Sequence, residues 1–244
     1  MSLDGFIAGP NQSEEDPLGE GGMQLHEWVF GLVAWRESQG QHGGEVNAST
    51  KVVEESLENI GATVMGRNMF GGEGPWGDDP WDGWWGDDPP FHMPVFIVTH
   101  HPREPVTKKG GTTFTFVTDG IESALEHARA AAGGKDVSLG GGANVAQQYL
   151  KAGLIDEMQI HLVPVLLGDG ARLFDNLGGA DVGLECTRVI EAPGVTHLTY
   201  RVLHSLPGRS KQGHPLDVVS EKPRSADHTW GLLESRGTRR QALK

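Results

Sequence analysis

Short apolar runs alternate with amphipathic helical patterns along most of the chain, and this alternation restricts the fold more than any other feature. Helical spacing predicts helices at 24–36, 49–60, 119–133 and 143–152, and apolar or β-branched runs predict strands at 62–65, 95–99, 112–117 and 137–139. Residues 158–162 and 198–202 then alternate apolar and polar side chains, which predicts a hairpin-like end. The pattern predicts an α/β fold with a mixed, mostly parallel sheet flanked by helices and a C-terminal antiparallel hairpin.

Two local signals refine the ends of these elements. The order Asp119-Gly-Ile-Glu122 has the form of a capping box at the start of the third helix. Ala192-Pro193-Gly194 predicts a turn between the last two strands.

The periodicity stops after Leu203, where Ser, Pro, Gly and charged residues take over. Residues 1–203 are therefore predicted to form one domain and 204–244 a mostly disordered tail. The tail is basic, whereas the whole chain has a net charge of −13. Because the tail's charges are scattered and Trp230 is its only aromatic residue, we interpret it as a solvated segment.

The overall composition excludes several classes of protein. A strongly acidic chain is a poor partner for the phosphate backbone of nucleic acid. No apolar stretch has the length of a membrane span, and no basic and apolar leader is visible, so we expect a cytoplasmic protein without a membrane partner. The single cysteine, Cys186, rules out an internal disulfide and a cysteine-based zinc cluster, and no metal site is expected.

Residues 71–90, here called the tryptophan-rich segment, form a long irregular stretch with an internal repeat. Trp76-Gly-Asp-Asp-Pro80 recurs as Trp85-Gly-Asp-Asp-Pro89. A segment of this kind is either a cover over a ligand or a surface loop packed on its own domain or on a partner subunit. The aspartates match no calcium-binding spacing.

Three predicted strands end in residues suited to phosphate. Gly140-Gly141-Gly142-Ala143-Asn144 joins a strand to a helix, and glycines let a ligand approach the backbone N–H groups at the helix start. Gly66-Arg67 follows a second strand and adds a guanidinium, and Thr99-His100-His101 follows a third. Since ligands of such sheets bind at the carboxyl ends of strands, we predict that these three junctions converge on one ligand. The doubly wound dinucleotide fingerprint is not met, because Val145 stands at its third glycine position.

Five segments together resemble a known family. Four of them are residues 2–9 (Ser-Leu-Asp-Gly-Phe-Ile-Ala-Gly), 64–67 (Val-Met-Gly-Arg), 95–99 and 140–144. The fifth runs from Gly153-Leu154-Ile155-Asp156-Glu157 through residues 164–170 (Pro-Val-Leu-Leu-Gly-Asp-Gly) to Leu173-Phe174 and is the most specific match. These resemble the C-terminal domain of the bacterial bifunctional deaminase-reductases, the riboflavin-biosynthesis reductase family, over residues 1–203. The resemblance implies a three-layer fold like that of dihydrofolate reductase, and a homodimer is an accompanying expectation.

The resemblance also implies a function and a set of site residues. The family transfers hydride from NADPH to a C=O or C=N bond, here of a small pyrimidine- or pterin-like substrate such as a riboflavin precursor. Gly66 and Arg67 would hold the adenosine-side phosphate, with Arg67 favouring NADPH over NADH, and Thr99 would lie near the adenine ribose. Asp4 would sit on the substrate side of the nicotinamide. The pyrophosphate would be lined by Gly140, Gly141, Gly142, Asn144 and Val145.

Alternatives remain at the catalytic position. Asp4 is equally well explained as a turn aspartate that binds nearby backbone, and His26 and Glu27 on the first predicted helix are further candidates for the acid. A protein that binds a nucleotide without catalysis, with the tryptophan-rich segment as a partner surface, is the alternative function.

The chain departs from the family pattern at its first strand. Members carry an apolar strand ahead of Ser-Leu-Asp-Gly, but here only Met1 precedes Ser2. A short first strand in a central position is expected to leave unpaired backbone in the sheet. No fused deaminase domain is expected, which weakens a direct role in riboflavin synthesis.

Overall fold

The computed structural model describes residues 1–72, 75–77, 81–179 and 181–203. The predicted tail at 204–244 and part of the tryptophan-rich segment, with its residues Asp78, Asp79 and Pro80, lie outside these ranges. The strands are β1 (Phe6–Ala8), β2 (Ile60–Gly66), β3 (Pro94–Val98), β4 (Val106–Thr107), β5 (Thr113–Val117), β6 (Asp136–Gly141), β7 (Glu157–Leu162), β8 (Ala171–Arg172), β9 (Gly183–Ala192) and β10 (Val195–Leu203). The α-helices are α1 (Glu27–Phe30), α2 (Val33–Ser38), α3 (Ala48–Leu57), α4 (Arg67–Gly71), α5 (Ile121–Ala132) and α6 (Ala143–Lys151), with 3₁₀ turns at Gly22–Leu25 and Lys109–Gly111.

A five-stranded sheet in the order β4-β5-β3-β2-β6 forms the centre of the fold. Strands β5, β3, β2 and β6 run parallel, and only the short β4 is antiparallel. Residues 62–66 of β2 are all buried, as expected for an apolar strand covered on both faces. The predicted α/β class with a mixed, mostly parallel sheet is therefore confirmed.

The late strands form a second, antiparallel sheet in the order β7-β10-β9. The hairpin between β9 and β10 turns at Pro193-Gly194, as predicted. A two-stranded ribbon of β1 and β8 completes the pairing.

Strand β6 is an edge strand of the five-stranded sheet, and residues 1–3 lie beside the edge strand of the three-stranded sheet. Ahead of β1, residues 1–3 run parallel to the end of β7: the Val163 N–H donates to the Met1 carbonyl and the Leu3 N–H to the Val165 carbonyl, each at 2.9 Å. Among the described residues, β6 is paired along one edge alone, with β2. The side chains of β6 are accordingly half-buried or exposed, whereas those of β2 are buried.

The two faces of the five-stranded sheet are covered by different kinds of side chain, mainly aliphatic on one and aromatic on the other. On one face α5 and α6 pack an aliphatic cluster that includes Ala62, Val64, Ala124 and Val145. On the other face Phe70 of α4 joins Phe114 and Ile97 in an aromatic cluster against which Trp76 and Trp85 pack. The described part of the tryptophan-rich segment thus packs on its own domain, which is one of the two predicted alternatives.

The single helix predicted at 24–36 is wrong. The chain instead forms the 3₁₀ turn at Gly22–Leu25 followed by the short helices α1 and α2. The break lies at Gly31-Leu32, where the backbone pairs with Glu45: the Glu45 N–H donates to the Gly31 carbonyl at 2.8 Å, and the Val33 N–H donates to the Glu45 carbonyl at 3.0 Å. Pairing between distant segments therefore overrides the local periodicity.

The predicted capping box at Asp119 is also wrong. Helix α5 begins after Gly120, with no side-chain cap, and the Asp119 carboxylate accepts a hydrogen bond from the Ser123 hydroxyl at 3.1 Å. The capping box in the structure lies at α3, where Asn47 and Thr50 bond each other's backbone N–H groups. Among the described residues no helix is long and apolar enough to cross a membrane.

Candidate active site

The carboxyl ends of β2, β3 and β6 lie side by side. In the parallel registers Gly66 is opposite Val98 of β3, and Met65 is opposite Gly141 of β6. Thr99 follows β3 directly, and Gly142 follows β6. The three junctions predicted from the sequence therefore lie next to one another at one end of the sheet.

The ends of β2 and β6 meet at glycines, so the backbone there carries no side chains. A Cβ atom on Gly142 would lie 3.6 Å from the Cα of Gly66, and a Cβ on Gly66 would come within 2.9 Å of Val145 Cγ2. Gly142 has φ of +87°, a conformation that a side chain disfavours. Gly140 and Gly141 lie inside β6, so the turn itself consists of Gly142 alone.

The start of α6 is open to an anion. Gly142 is its N-cap residue and offers no side-chain cap to the first N–H groups of the helix. Val145 is buried, so at this position only its backbone N–H could meet a ligand. Asn144 is exposed, and its Oδ1 accepts a hydrogen bond from Gln148 Nε2 at 2.6 Å.

The Arg67 side chain folds back over its own helix, α4. Its Nη1 donates to the carbonyls of Gly71 and Gly72, the latter at 2.9 Å. Its guanidinium carbon lies 3.6 Å from the centre of the Trp76 ring. Its Nε is buried and has no hydrogen-bond partner. Burial, and secondarily the neighbouring Arg103, lowers the pKa of Arg67.

Thr99 is buried at the end of β3. Its N–H donates to the Val117 carbonyl at 3.0 Å, and its hydroxyl accepts from the His101 N–H at 3.1 Å. The side chain therefore orders the turn that leads to His101, and it is 6% exposed.

Asp4 lies in the first loop and is bound to the segment after β7. Its carboxylate accepts hydrogen bonds from the N–H groups of Leu167 at 3.2 Å and Gly168 at 2.7 Å. The Ser2 hydroxyl and these N–H groups lower the pKa of Asp4 to about 2. None of these contacts involves the strand ends that carry Gly66, Thr99 and Gly142.

A cluster that sequence reasoning missed lies under the three-stranded sheet. His161 Nδ1 and His197 Nδ1 are 2.7 Å apart, and His197 Nε2 lies 2.9 Å from the Ser49 hydroxyl. The Trp28 ring packs on both imidazoles at 5.0 Å between ring centres. Burial, followed by the neighbouring His197, lowers the pKa of His161 to about 4. The period-two pattern placed His161 on the predicted strand at 158–162, whereas His197 lies just ahead of the one at 198–202. Neither pattern indicates that the two histidines face each other.

Of the two further candidates for the acid, His26 has the more unusual surroundings. Its Nδ1 is buried without a hydrogen-bond partner, and burial lowers its pKa. Glu27 begins α1, the first short α-helix.

A second missed group anchors the tryptophan-rich segment. Arg103 donates to the Trp81 carbonyl at 2.8 Å and to the Asp82 carboxylate at 2.5 Å, and Lys108 binds the same carboxylate at 3.0 Å. The Arg103 guanidinium also lies 4.8 Å from the centre of the Trp76 ring. No sequence signal connects Arg103 with this segment.

Two cavities lie away from these strand ends. One of about 420 Å³ is bordered by Ile121 and Lys151, and one of about 230 Å³ by Leu3 and Val195. Within the described ranges, no group of three or more histidine, cysteine or carboxylate side chains could hold a metal ion.

Comparison with known proteins identifies the family. The family model of the RibD C-terminal domain matches residues 1–198. No curated protein matches. Among solved structures, a putative riboflavin biosynthesis protein from Shewanella sp. PV-4 superimposes with a TM-score of 0.53 at 22% identity, covering 84% of this chain and 96% of that one.

Two further structures are more distant. Acinetobacter baumannii RibD gives a TM-score of 0.49 at 17% identity, covering 83% of this chain, and the chain spans 56% of its length. Enterococcus faecalis dihydrofolate reductase gives 0.40 at 16% identity, covering 67% of this chain and 86% of that one. The family model covers most of the chain and the Shewanella protein shares its fold, so the chain belongs to the RibD C-terminal domain family.

Proposed function

We propose that the protein is an NADPH-dependent reductase that transfers hydride to a C=O or C=N bond of a small molecule. Membership of the RibD C-terminal domain family supports the reaction class. The adjacency of the β2, β3 and β6 ends supports a single extended ligand at that edge of the sheet.

The observation that carries the proposal is the bare backbone at Gly142 beside Gly66. The uncapped start of α6 presents N–H groups and a positive helix end, which favour the pyrophosphate of a dinucleotide. The space beside Gly66 is what a side chain at position 142 would fill. The residues present therefore fit a dinucleotide cofactor.

The residues at the three strand ends would each contact a different part of the cofactor. The N–H groups of residues 143–145 would hold the pyrophosphate, with Gly66 allowing its close approach. Arg67 would bind the 2′-phosphate, and the turn ordered by Thr99 would border the ribose. NADPH bound in this way supplies the hydride, and the chain's part is to fix its orientation toward the acceptor.

Asp4 is proposed as a positioning group on the substrate side. A carboxylate with a pKa of about 2 stays ionised at neutral pH, so it does not donate a proton there. Its bonds to Leu167 and Gly168 hold the first loop against the segment after β7. Asp4 thereby shapes the substrate side without taking part in proton transfer.

The proposed substrate is a pyrimidine- or pterin-like heterocycle. The name of the Shewanella relative, a putative riboflavin biosynthesis protein, supports this class. A homodimer in the cytoplasm remains a prediction.

The alternative is a module that binds the nucleotide without turning it over. The internal bonding of Asp4 favours it, because the predicted catalytic carboxylate is already committed to backbone N–H groups.

Titration with NADPH and NADH, followed by a screen of acceptors, tests both functions. We expect NADPH to bind more tightly than NADH, and its absorbance at about 340 nm, the ordinary nicotinamide band, to fall with a pyrimidine, pterin or dicarbonyl acceptor. Tight binding without oxidation across the screen would favour the module. Failure of both nucleotides to bind at millimolar concentration would remove the cofactor site.

A further inference from the structure

Trp76 lies across two of the strand ends assigned to the cofactor. Its indole Nε1 donates to the His101 carbonyl at 3.0 Å, in the turn that follows β3. Its ring centre lies 3.6 Å from the guanidinium carbon of Arg67, which follows β2. One side chain of the tryptophan-rich segment therefore joins the two junctions proposed to receive the adenosine half of NADPH.

The guanidinium of Arg67, beneath the Trp76 ring, has few contacts that offset its positive charge among the described residues. Arg67 Nε is buried without a partner, and no carboxylate lies within ion-pair distance of Arg67 among the described residues. A second guanidinium, that of Arg103, lies over the same indole at 4.8 Å. Among the described residues, the Trp76 ring face and the carbonyls of Gly71 and Gly72 offset the burial of the Arg67 charge.

Trp76 is well packed in this position. Its ring contacts Phe70 at 6.1 Å and Phe116 at 5.1 Å between centres, both edge to face. The chain that follows it is fastened by the bonds from Arg103 to Trp81 and Asp82. The contact with Arg67 is therefore part of an ordered aromatic cluster.

We propose that Trp76 occupies the place of the cofactor's adenine in the empty protein, and that binding requires it to leave Arg67. A planar aromatic ring stacked on a guanidinium is also the arrangement by which arginine holds an adenine. The proposal rests on the proposed function, because it assumes that Arg67 receives the 2′-phosphate. A phosphate that reaches the buried Nε supplies a negative charge that no described residue supplies to Arg67, whereas the indole supplies only a ring face.

This competition has a measurable consequence. When the binding-competent form is a minority, the apparent affinity falls by its fraction. Loss of one cation–π contact and one hydrogen bond is enough to shift that fraction by about tenfold. Removing the indole should therefore tighten binding of the cofactor.

The test compares Trp76→Ala with Trp84→Ala by calorimetric titration with NADPH. Trp84 belongs to the same segment but packs on Trp81 and donates to the Asn68 carbonyl at 3.0 Å. We expect Trp76→Ala to lower the Kd for NADPH about tenfold and Trp84→Ala to leave it within about twofold. An unchanged or raised Kd in folded Trp76→Ala would overturn the proposal.

A measurement on the unmutated sequence covers the case in which Trp76→Ala does not fold. In protein labelled with 5-fluorotryptophan, the Trp76 resonance is assigned by its absence in Trp76→Phe. We expect saturating NADPH to move this resonance to a solvent-exposed position, and a resonance unmoved at saturation would overturn the displacement. If NADPH binds but neither effect is seen, only this inference fails; if NADPH binds neither the natural protein nor Trp76→Ala, the proposed cofactor site fails with it.

Discussion

Two regions of the molecule differ in whether their polar groups have hydrogen-bond partners. They are the strand ends of the five-stranded sheet and the first loop, beside the three-stranded sheet. At the strand ends the first N–H groups of α6 have no side-chain cap, and the Nε of Arg67 is buried without a partner. In the first loop the Asp4 carboxylate is bonded to Leu167 and Gly168. In the first region these groups have no side-chain partner among the described residues, whereas the Asp4 carboxylate of the second region is bonded to backbone N–H groups.

This difference separates binding groups from structural ones. A buried polar group without a partner costs free energy, and a ligand that supplies the partner recovers it. His26 is the exception in the second region, because its Nδ1 is also buried without a partner. Among the described residues of the second region, His26 rather than Asp4 therefore keeps a ring nitrogen without a partner, and the proposed cofactor site stays at the strand ends.

The largest effect is expected from Gly142→Val. A β-branched residue at φ of +87° is strained by about 1–3 kcal/mol, and its side chain would fill the space beside Gly66. Blocking two charge-assisted backbone contacts of about 1.5 kcal/mol each should raise the Kd for NADPH about a hundredfold. Calorimetry and thermal unfolding measure the two effects.

Gly133→Ala is the matched control for Gly142→Val. Gly133 also has positive φ, at the C-terminal end of α5, and nothing lies within 4 Å of its added Cβ. It should lower thermal stability and leave the Kd unchanged. Equal loss of NADPH affinity in both variants would assign the effect to strain instead of to the site.

Arg67→Ala sharpens the comparison at the phosphate end. Loss of one charge-assisted contact should weaken NADPH by about 1.5–3 kcal/mol and NADH by much less, because only NADPH carries the 2′-phosphate. Titrations of Arg67→Ala and of Arg67→Lys, which keeps the charge but not the planar fork, measure this difference. An equal loss for both nucleotides would remove Arg67 from the 2′-phosphate.

The histidine pair predicts a pH-dependent stability in the second region. The folded pKa of His161, about 4, lies below the ordinary 6.5, so the unfolded chain binds the proton more readily. Its contribution to stability is complete above about pH 7 and is lost as the pH falls toward 4, by about 2–3 kcal/mol. Urea unfolding at pH 7 and pH 4 measures it.

In His161→Phe, the free energy of unfolding should change less between pH 7 and pH 4 than in the natural protein. His127→Gln, on the exposed side of α5, serves as the control and should keep the natural slope. If the free energy of unfolding of His161→Phe falls with pH as steeply as that of the natural protein, groups other than His161 govern the acid sensitivity.

The smallest effect is expected at Asp4. Its depressed folded pKa means that its stabilising contribution is present above about pH 4 and is lost as the pH falls through about 2. Asp4→Asn should lower the free energy of unfolding at pH 7 and have little effect near pH 2. The pH profile of turnover between pH 5 and 9 should not change, because Asp4 does not titrate there.

Asp169→Asn is the control for Asp4→Asn. Asp169 lies in the same segment, but it bonds only the adjacent Gly170 N–H among the described residues. A new inflection in the turnover profile of Asp4→Asn would instead assign Asp4 to proton transfer.

The core elements of the fold were predictable from the sequence, and the position of the site stays a prediction. The predicted strands at 62–65, 95–99, 112–117 and 137–139 match β2, β3, β5 and β6 to within two residues at each end. The predicted helix at 24–36 was wrong because Gly31 and Val33 pair with Glu45, a contact that no local pattern reports.

What the sequence by itself determined is where the parallel strands lie along the chain and the glycines at the carboxyl ends of two of them, because apolar period and backbone freedom are local properties. Only the tertiary structure decided which polar side chains are left without partners. Arg67 turned out to lie under Trp76, Asp4 to be bound to Gly168, and His161 to face His197, each over a separation that the chain crosses only by folding. Partners distant in sequence meet through packing, and packing sets the burial and charge of a site.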